Sequence, residues 1–163
     1  MPADNVTPFR RPPRRVVQKQ QQGGMGFNTH RGKAVLVQLL TLATYASAYF
    51  FPFPPPPGAP IILLIASCFS LAFALGAAAL AMQNRYDAMP WAATHHEHAV
   101  RTLFIGFAIW TLSSALTYIS TAFFVVAHYT HIAVLIWAGV RAAVGMVLAL
   151  MRRPVWHPRG WLV

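Results

Sequence analysis

Few residues in this chain could do chemistry, and they are concentrated. The stretch Thr94-His95-His96-Glu97-His98-Ala99-Val100-Arg101-Thr102 holds three of the seven histidines and one of the three acidic residues. His95 and His98 are three residues apart, so on a helix they share a face and could offer imidazole nitrogens to zinc, iron or the edge of a haem. His128 and His131 repeat that spacing. Two ligands do not close a metal site. A run of apolar residues separates the two pairs and places them roughly 40 Å apart at about 1.5 Å of rise per residue, so one ion cannot use both. Histidines at the end of an apolar helix are commonly solvated or bonded to polar headgroups. The reading is therefore no cofactor, with metal or haem ligation completed by a partner as the minor alternative.

Thr94 and Glu97 have the spacing of a capping box, in which the threonine oxygen takes an N–H of the first turn and the glutamate reaches back to the cap. Glu97 also precedes Arg101 by one turn, the favourable order for a helical ion pair. General acid or base catalysis would want a second titratable group in a sheltered pocket, and no other carboxylate lies within helical reach. With no nucleotide loop, nucleophile constellation or carboxylate pair, the chain does not read as an enzyme.

Arg141 is the more demanding residue, because apolar residues flank it on both sides. At bilayer depth an arginine costs at least about 2.5–3.5 kcal/mol and must find a partner or water. Internal candidates are backbone carbonyls and the hydroxyls of the preceding apolar run. External ones are a lipid phosphate, an anionic ligand or an acid on another subunit. Gly139, Ala142, Ala143 and Gly145 would let a neighbouring helix come close.

The elements that position these groups follow from composition. The chain has 163 residues, 56% hydrophobic and 10% charged, too apolar for an ordinary aqueous surface. Thirteen Lys and Arg stand against Asp4, Asp87 and Glu97, for a formal net charge of +10. Seven of the thirteen fall in the first 33 residues, a Pro- and Gln-rich tail without periodicity that reads as disordered when free. Nucleic-acid binding would need a basic face on a folded domain, so anionic lipid headgroups are the simpler partner. Four apolar runs, at 34–51, 60–82, 100–127 and 132–151, predict an all-α membrane protein, a four-transmembrane-helix bundle. The basic residues lie before the first run, between the second and third, and in the tail 152–163, which puts both termini in the cytoplasm. A cleaved signal sequence ending at Ala46-Ser47-Ala48 is the rival, but 33 basic residues are long for one. Ala72-x-x-x-Gly76 predicts close packing in the second span. Thr111, Ser114, Thr117 or Tyr118, and Thr121 predict a stripe facing other helices. Cys68 reads as a small buried hydrophobe.

Trp91, His95 or His96, Arg101-Thr102, Trp137, Arg141, Gly145, Leu148, Pro154, Pro158 and Trp161 together resemble a family of bacterial four-helix inner-membrane proteins, distantly similar to the Tic-twenty component of the chloroplast envelope import machinery. The match covers about the last 80 residues. Family members often have an aromatic and a glutamine before the Arg-Thr pair, whereas this chain has Glu97, His98 and Ala99. The resemblance implies a multi-pass protein of the bacterial cytoplasmic membrane, pairs the Arg101 and Arg141 regions, and supplies no reaction.

The expected function is a non-enzymatic accessory, assembly or scaffold subunit of a larger respiratory or photosynthetic membrane complex. Its partners would be membrane lipids and other membrane subunits, met through Arg141, Arg101, Glu97, Thr94 and Trp137. A transporter or channel component with Arg141 lining a polar path is the alternative, and a haem or quinone redox subunit the third.

Overall fold

A computed structural model describes residues 26–51, 55, 58–86 and 88–160. The expectations for the first 25 residues, and for Asp87 and Trp161, lie outside these. Four helices account for most of the described chain: α1 His30–Phe50, α2 Ile61–Asn84, α3 Pro90–Ile119 and α4 Phe123–Leu150. No strand occurs among the described residues. Helix α1 packs against all three others, and α3 also packs against α2 and α4. Helices α2, α3 and α4 are long and apolar enough to cross a membrane.

Helix α1 does not meet that standard, and its packing gives the reason. Thr29 caps it, its Oγ1 accepting the Gly32 N–H at 3.0 Å. Ala34, Val37, Gln38, Thr41, Thr44, Tyr45 and Ala48 then recur at helical spacing on its buried face. Four of these seven are polar, and average hydropathy blends that covered face with the outer one. Thr41 and Thr44 donate to the carbonyls of Val37 and Leu40, one turn back, so their hydroxyls need no outside partner.

Two glycines set how closely α1 is approached. The Tyr45 hydroxyl donates to the carbonyls of Thr102 and Leu103 at 2.8 and 3.0 Å, and a Cβ on Gly106 would run into that hydroxyl. On α4, a Cβ on Gly145 would stand 2.8 Å from the side-chain amide carbon of Gln38. Small residues thus sit opposite polar ones, which lets backbone carbonyls serve as acceptors between helices.

Helix α2 buries Ser67, Ser70, Ala77 and Ala81 and turns Ile61, Ile62, Leu64, Ile65, Phe69, Leu75 and Met82 outward. This corrects two expectations. Cys68 is exposed, and the close-packed pair is Ala77 and Ala81 in place of Ala72 and Gly76. A helix apolar on every side carries no pattern that tells its packed face from its outer one.

The third and fourth spans are also corrected. Helix α3 begins at Pro90, where the missing N–H belongs to the unbonded first turn, ten residues before the expected start. It stops at Ser120, whose backbone is extended at φ −156° and ψ 140°. Ser120 Oγ accepts the Ala122 N–H at 3.3 Å and its carbonyl accepts the Phe123 N–H at 3.1 Å, which makes a tight turn inside the run read as continuous from 100 to 127. His128 and His131 therefore lie within α4, not in a loop.

Helix α4 ends with Arg152 in the left-handed region at φ 57°. The Arg153 N–H bonds to the Leu148 carbonyl at 2.9 Å and the Arg152 N–H to the Ala149 carbonyl at 3.1 Å, the Schellman pattern. Glycine normally holds this position, and a side chain there costs on the order of 1 kcal/mol. The turn sends residues 151–160 back against the bundle, where Val155 is buried.

Candidate functional site

Antiparallel packing gathers the start of α1, the end of α2, the start of α3 and the end of α4 at one end of the bundle. Arg31, Lys33, Arg85, Arg101, Arg152, Arg153 and Arg159 all belong to this end. Beneath them lies a layer of buried polar side chains: Gln38, His95, His96, His98, Thr102 and Arg141, the three histidines all 0% exposed.

Each helix junction at this end carries a polar link. From α1, Gln38 Nε2 donates to the His95 carbonyl at 3.1 Å, Lys33 Nζ to Asn84 Oδ1 at 2.8 Å and Arg31 Nη2 to the Leu150 carbonyl at 2.7 Å. These reach α3, α2 and α4 in turn. Thr102 Oγ1 donates to the His98 carbonyl at 2.8 Å and accepts from Arg141 Nε at 3.0 Å. Arg141 Nη1 donates to the Gly160 carbonyl at 2.8 Å, and the guanidinium carbon lies 5.2 Å from the centre of the Trp137 ring. A buried guanidinium is thereby matched by acceptors and an aromatic face drawn from the chain itself.

The C-terminal segment has three further ties. His95 Nε2 bonds to the Arg153 carbonyl at 2.9 Å, which requires the proton on Nε2. Thr94 Oγ1 donates to the Trp91 carbonyl at 2.7 Å and accepts the Val155 N–H at 3.0 Å. Thr94 is thus inside α3, so the expected capping box is corrected: its oxygen serves the returning segment, because Pro90 has already started the helix. The Glu97–Arg101 pair does form, at 2.9 Å, and Arg85 joins the same carboxylate at 3.3 Å.

The histidines at 95, 96 and 98 were expected as a solvated interfacial group, and that is corrected too, because α1, α4 and residues 151–160 cover them. Both ring nitrogens of His96 and of His98, with His95 Nδ1 and Gln38 Oε1, have no hydrogen-bond partner among the described residues. A buried polar atom left unmatched costs about 1–3 kcal/mol, so the layer retains capacity to bond water or a polar group.

The second histidine pair is separate. His131 stacks on Trp110 with ring centres 4.0 Å apart and planes 9° from parallel, and its Nε2 meets Ser114 Oγ at 3.1 Å. His128 is exposed. Residues 98 and 114 are about 24 Å apart along α3, less than the separation expected but still too far for one ion. Among the described residues no group of three or more His, Cys, Asp or Glu is placed to hold a metal. The hydroxyl stripe is corrected as well: Ser113 is buried and Ser114 and Thr117 half-buried, while Thr111, Tyr118 and Thr121 face outward, Thr121 beyond the helix end. Beside Trp110 a cavity of about 10 Å³, lined by Thr44, Tyr45, Ala48, Ser70 and Phe107, has room for about one water.

Of the residues singled out in the sequence, the fold joins Thr94, Trp137 and Arg141 to one network with the histidines, and places Glu97 and Arg101 outside it. Gln38, Lys33, Arg31 and Tyr45 were not expected to take part. A glutamine inside an apolar run was the available signal, since it needs an internal partner there.

No protein-family model, curated protein or solved structure matches this chain.

Proposed function

We propose that this chain is a four-span protein of the bacterial cytoplasmic membrane with both termini in the cytoplasm, acting as a non-enzymatic accessory or assembly subunit of a larger membrane complex. Helix α1, at 21 residues and about 1.5 Å per residue, is long enough for a hydrocarbon core of about 30 Å. Its polar residues lie on the face that the other helices cover, which supports it as the fourth span. The basic residues at the α1-start end support the orientation.

The observation that carries the reading is the use made of the polar layer. Arg141, Thr102, Thr94 and Gln38 join helices to one another and to residues 151–160, while α2 and α4 offer broad apolar faces outward. A subunit that must stay rigid while its outer faces meet lipid and other subunits needs this arrangement. The residues resembling the four-helix family form one connected set, with Trp91 edge-on to His95 at 6.0 Å, Thr102 on Arg141, Trp137 beneath it and Gly145 against Gln38. That supports assigning the chain to that family. Blue-native electrophoresis of mildly solubilised membranes tests the function: migration with other subunits is expected, and migration only as a monomer or homo-oligomer contradicts it.

A second reading, a transport component with Arg141 beside a polar path, draws on the unmatched nitrogens of His96 and His98. Arg141→Leu separates the two. Loss of protein abundance along with any flux points to the structural role, and loss of flux at unchanged abundance to transport.

A further inference from the structure

The segment after α4 has an inner and an outer side. On the inner side, the Arg153 carbonyl is held by His95, the Val155 N–H by Thr94 and the Gly160 carbonyl by Arg141, with the Val155 side chain buried. A turn closed by the Gly160 N–H on the His157 carbonyl at 2.9 Å completes it. On the outer side, Arg152, Arg153, Trp156, His157 and Arg159 are exposed, Trp156 at 82%.

The route of the segment decides what that outer side meets. Arg141 lies nine residues before the end of α4 at Leu150, about 14 Å back along the helix axis. Because Gly160 returns to within hydrogen-bond reach of Arg141, residues 151–160 run back along the flank of the bundle. In a bundle that crosses a membrane, the flank at this depth lies at the level of the headgroups. Trp156 stands there between arginines, with Tyr86, 80% exposed, at the same end. Residues 151–160 contain no acid, and Glu97, the one acidic residue among those described, is already paired with Arg85 and Arg101.

We infer that residues 151–160 form a docking surface for the headgroups of anionic phospholipids, with Arg152, Arg153 and Arg159 on the phosphates and Trp156 in the interface. Guanidinium groups bind phosphate oxygens bidentately, and an indole gains at a boundary where its ring is apolar and its N–H wet. The bonds to His95, Thr94 and Arg141 fix the backbone beforehand, so binding orders only the arginine side chains. The inference rests on the membrane-spanning reading.

Full-length protein is reconstituted in phosphatidylcholine vesicles with and without phosphatidylglycerol, washed at alkaline pH, and extracted for native mass spectrometry of retained lipid. Preferential retention of phosphatidylglycerol is expected. The R152Q/R153Q/R159Q variant should lose at least about tenfold of that preference, the matching lysine variant should recover part of it, and Arg101→Gln should leave it unchanged. Brominated phosphatidylglycerol should quench the emission that Trp156→Phe removes. Equal retention of both lipids, or an unchanged preference in the glutamine variant, overturns the docking surface while leaving the spanning reading intact. Protein that washes off the vesicles overturns both. Displacement of the retained lipid by an acidic peptide at lower concentration than by phosphatidylglycerol assigns the surface to a protein partner and overturns the lipid.

Discussion

The two ends of this bundle hold the same four helices together by different means. At the basic end, directional bonds from Arg31, Lys33, Gln38, Thr94, Thr102 and Arg141 link each helix to a neighbour or to residues 151–160. At the other end the described contacts are largely apolar and aromatic, with His131 stacked on Trp110 and Phe50, Ile61, Ile119 and Phe124 turned outward. In lipid, apolar faces gain little by meeting each other instead of acyl chains, so packing alone specifies a bundle weakly. The polar end supplies the register, and the apolar end tolerates change.

That contrast can be broken most sharply at Arg141. Arg141→Ala removes the bonds to Thr102 and Gly160 and uncovers Trp137, and should lower stability in bilayers or bicelles by about 3 kcal/mol, read by steric trapping or reversible denaturation. A loss below about 1 kcal/mol would mean the layer does not specify the bundle. Next is Gly106→Ala, which drives a Cβ against the Tyr45 hydroxyl and should destabilise by about 2 kcal/mol in the same assay, whereas Gly139→Ala, whose nearest neighbour is Leu42 Cδ1 at 3.9 Å, should be nearly neutral. At the apolar end, His131→Ala removes the stack on Trp110 and should cost about 1 kcal/mol. If it costs as much as Arg141→Ala, the two ends are equivalent and the comparison fails. The smallest effect belongs to Glu97→Gln, whose partly exposed ion pairs should contribute about 0.5 kcal/mol and less at high salt.

The helices were legible because long apolar runs with basic flanks leave few alternatives. Their ends were less so. Thr94 and Glu97 imitate a helix start, and only the earlier Pro90 shows that the cap lies elsewhere. Ser120 carries a weak local turn signal inside an apolar run, so α3 and α4 were divided in the wrong place. Cys68 and Ala72 sit on a helix apolar all round, where the sequence holds no information about which side is packed. Arg141 was recognised as needing partners, and its ion-pair neighbours Glu97 and Arg101 were matched from spacing alone. The carbonyl of Gly160 and the burial of His95, His96 and His98 were not legible, because both arise when residues 151–160 fold back across some 60 residues of sequence. Such contacts depend on the assembled bundle, and local pattern does not record them.

The account stands or falls on whether that segment is bound to the bundle or free. Hydrogen exchange at the Val155 amide tests this most directly, because its N–H is held by Thr94 Oγ1 beneath a buried side chain. The amide should exchange on the timescale of the last turns of α4 in the wild-type protein and lose that protection in Arg141→Ala. Exchange of Val155 at the rate of an unprotected amide in the wild-type chain would contradict the claim that the polar layer closes the basic end.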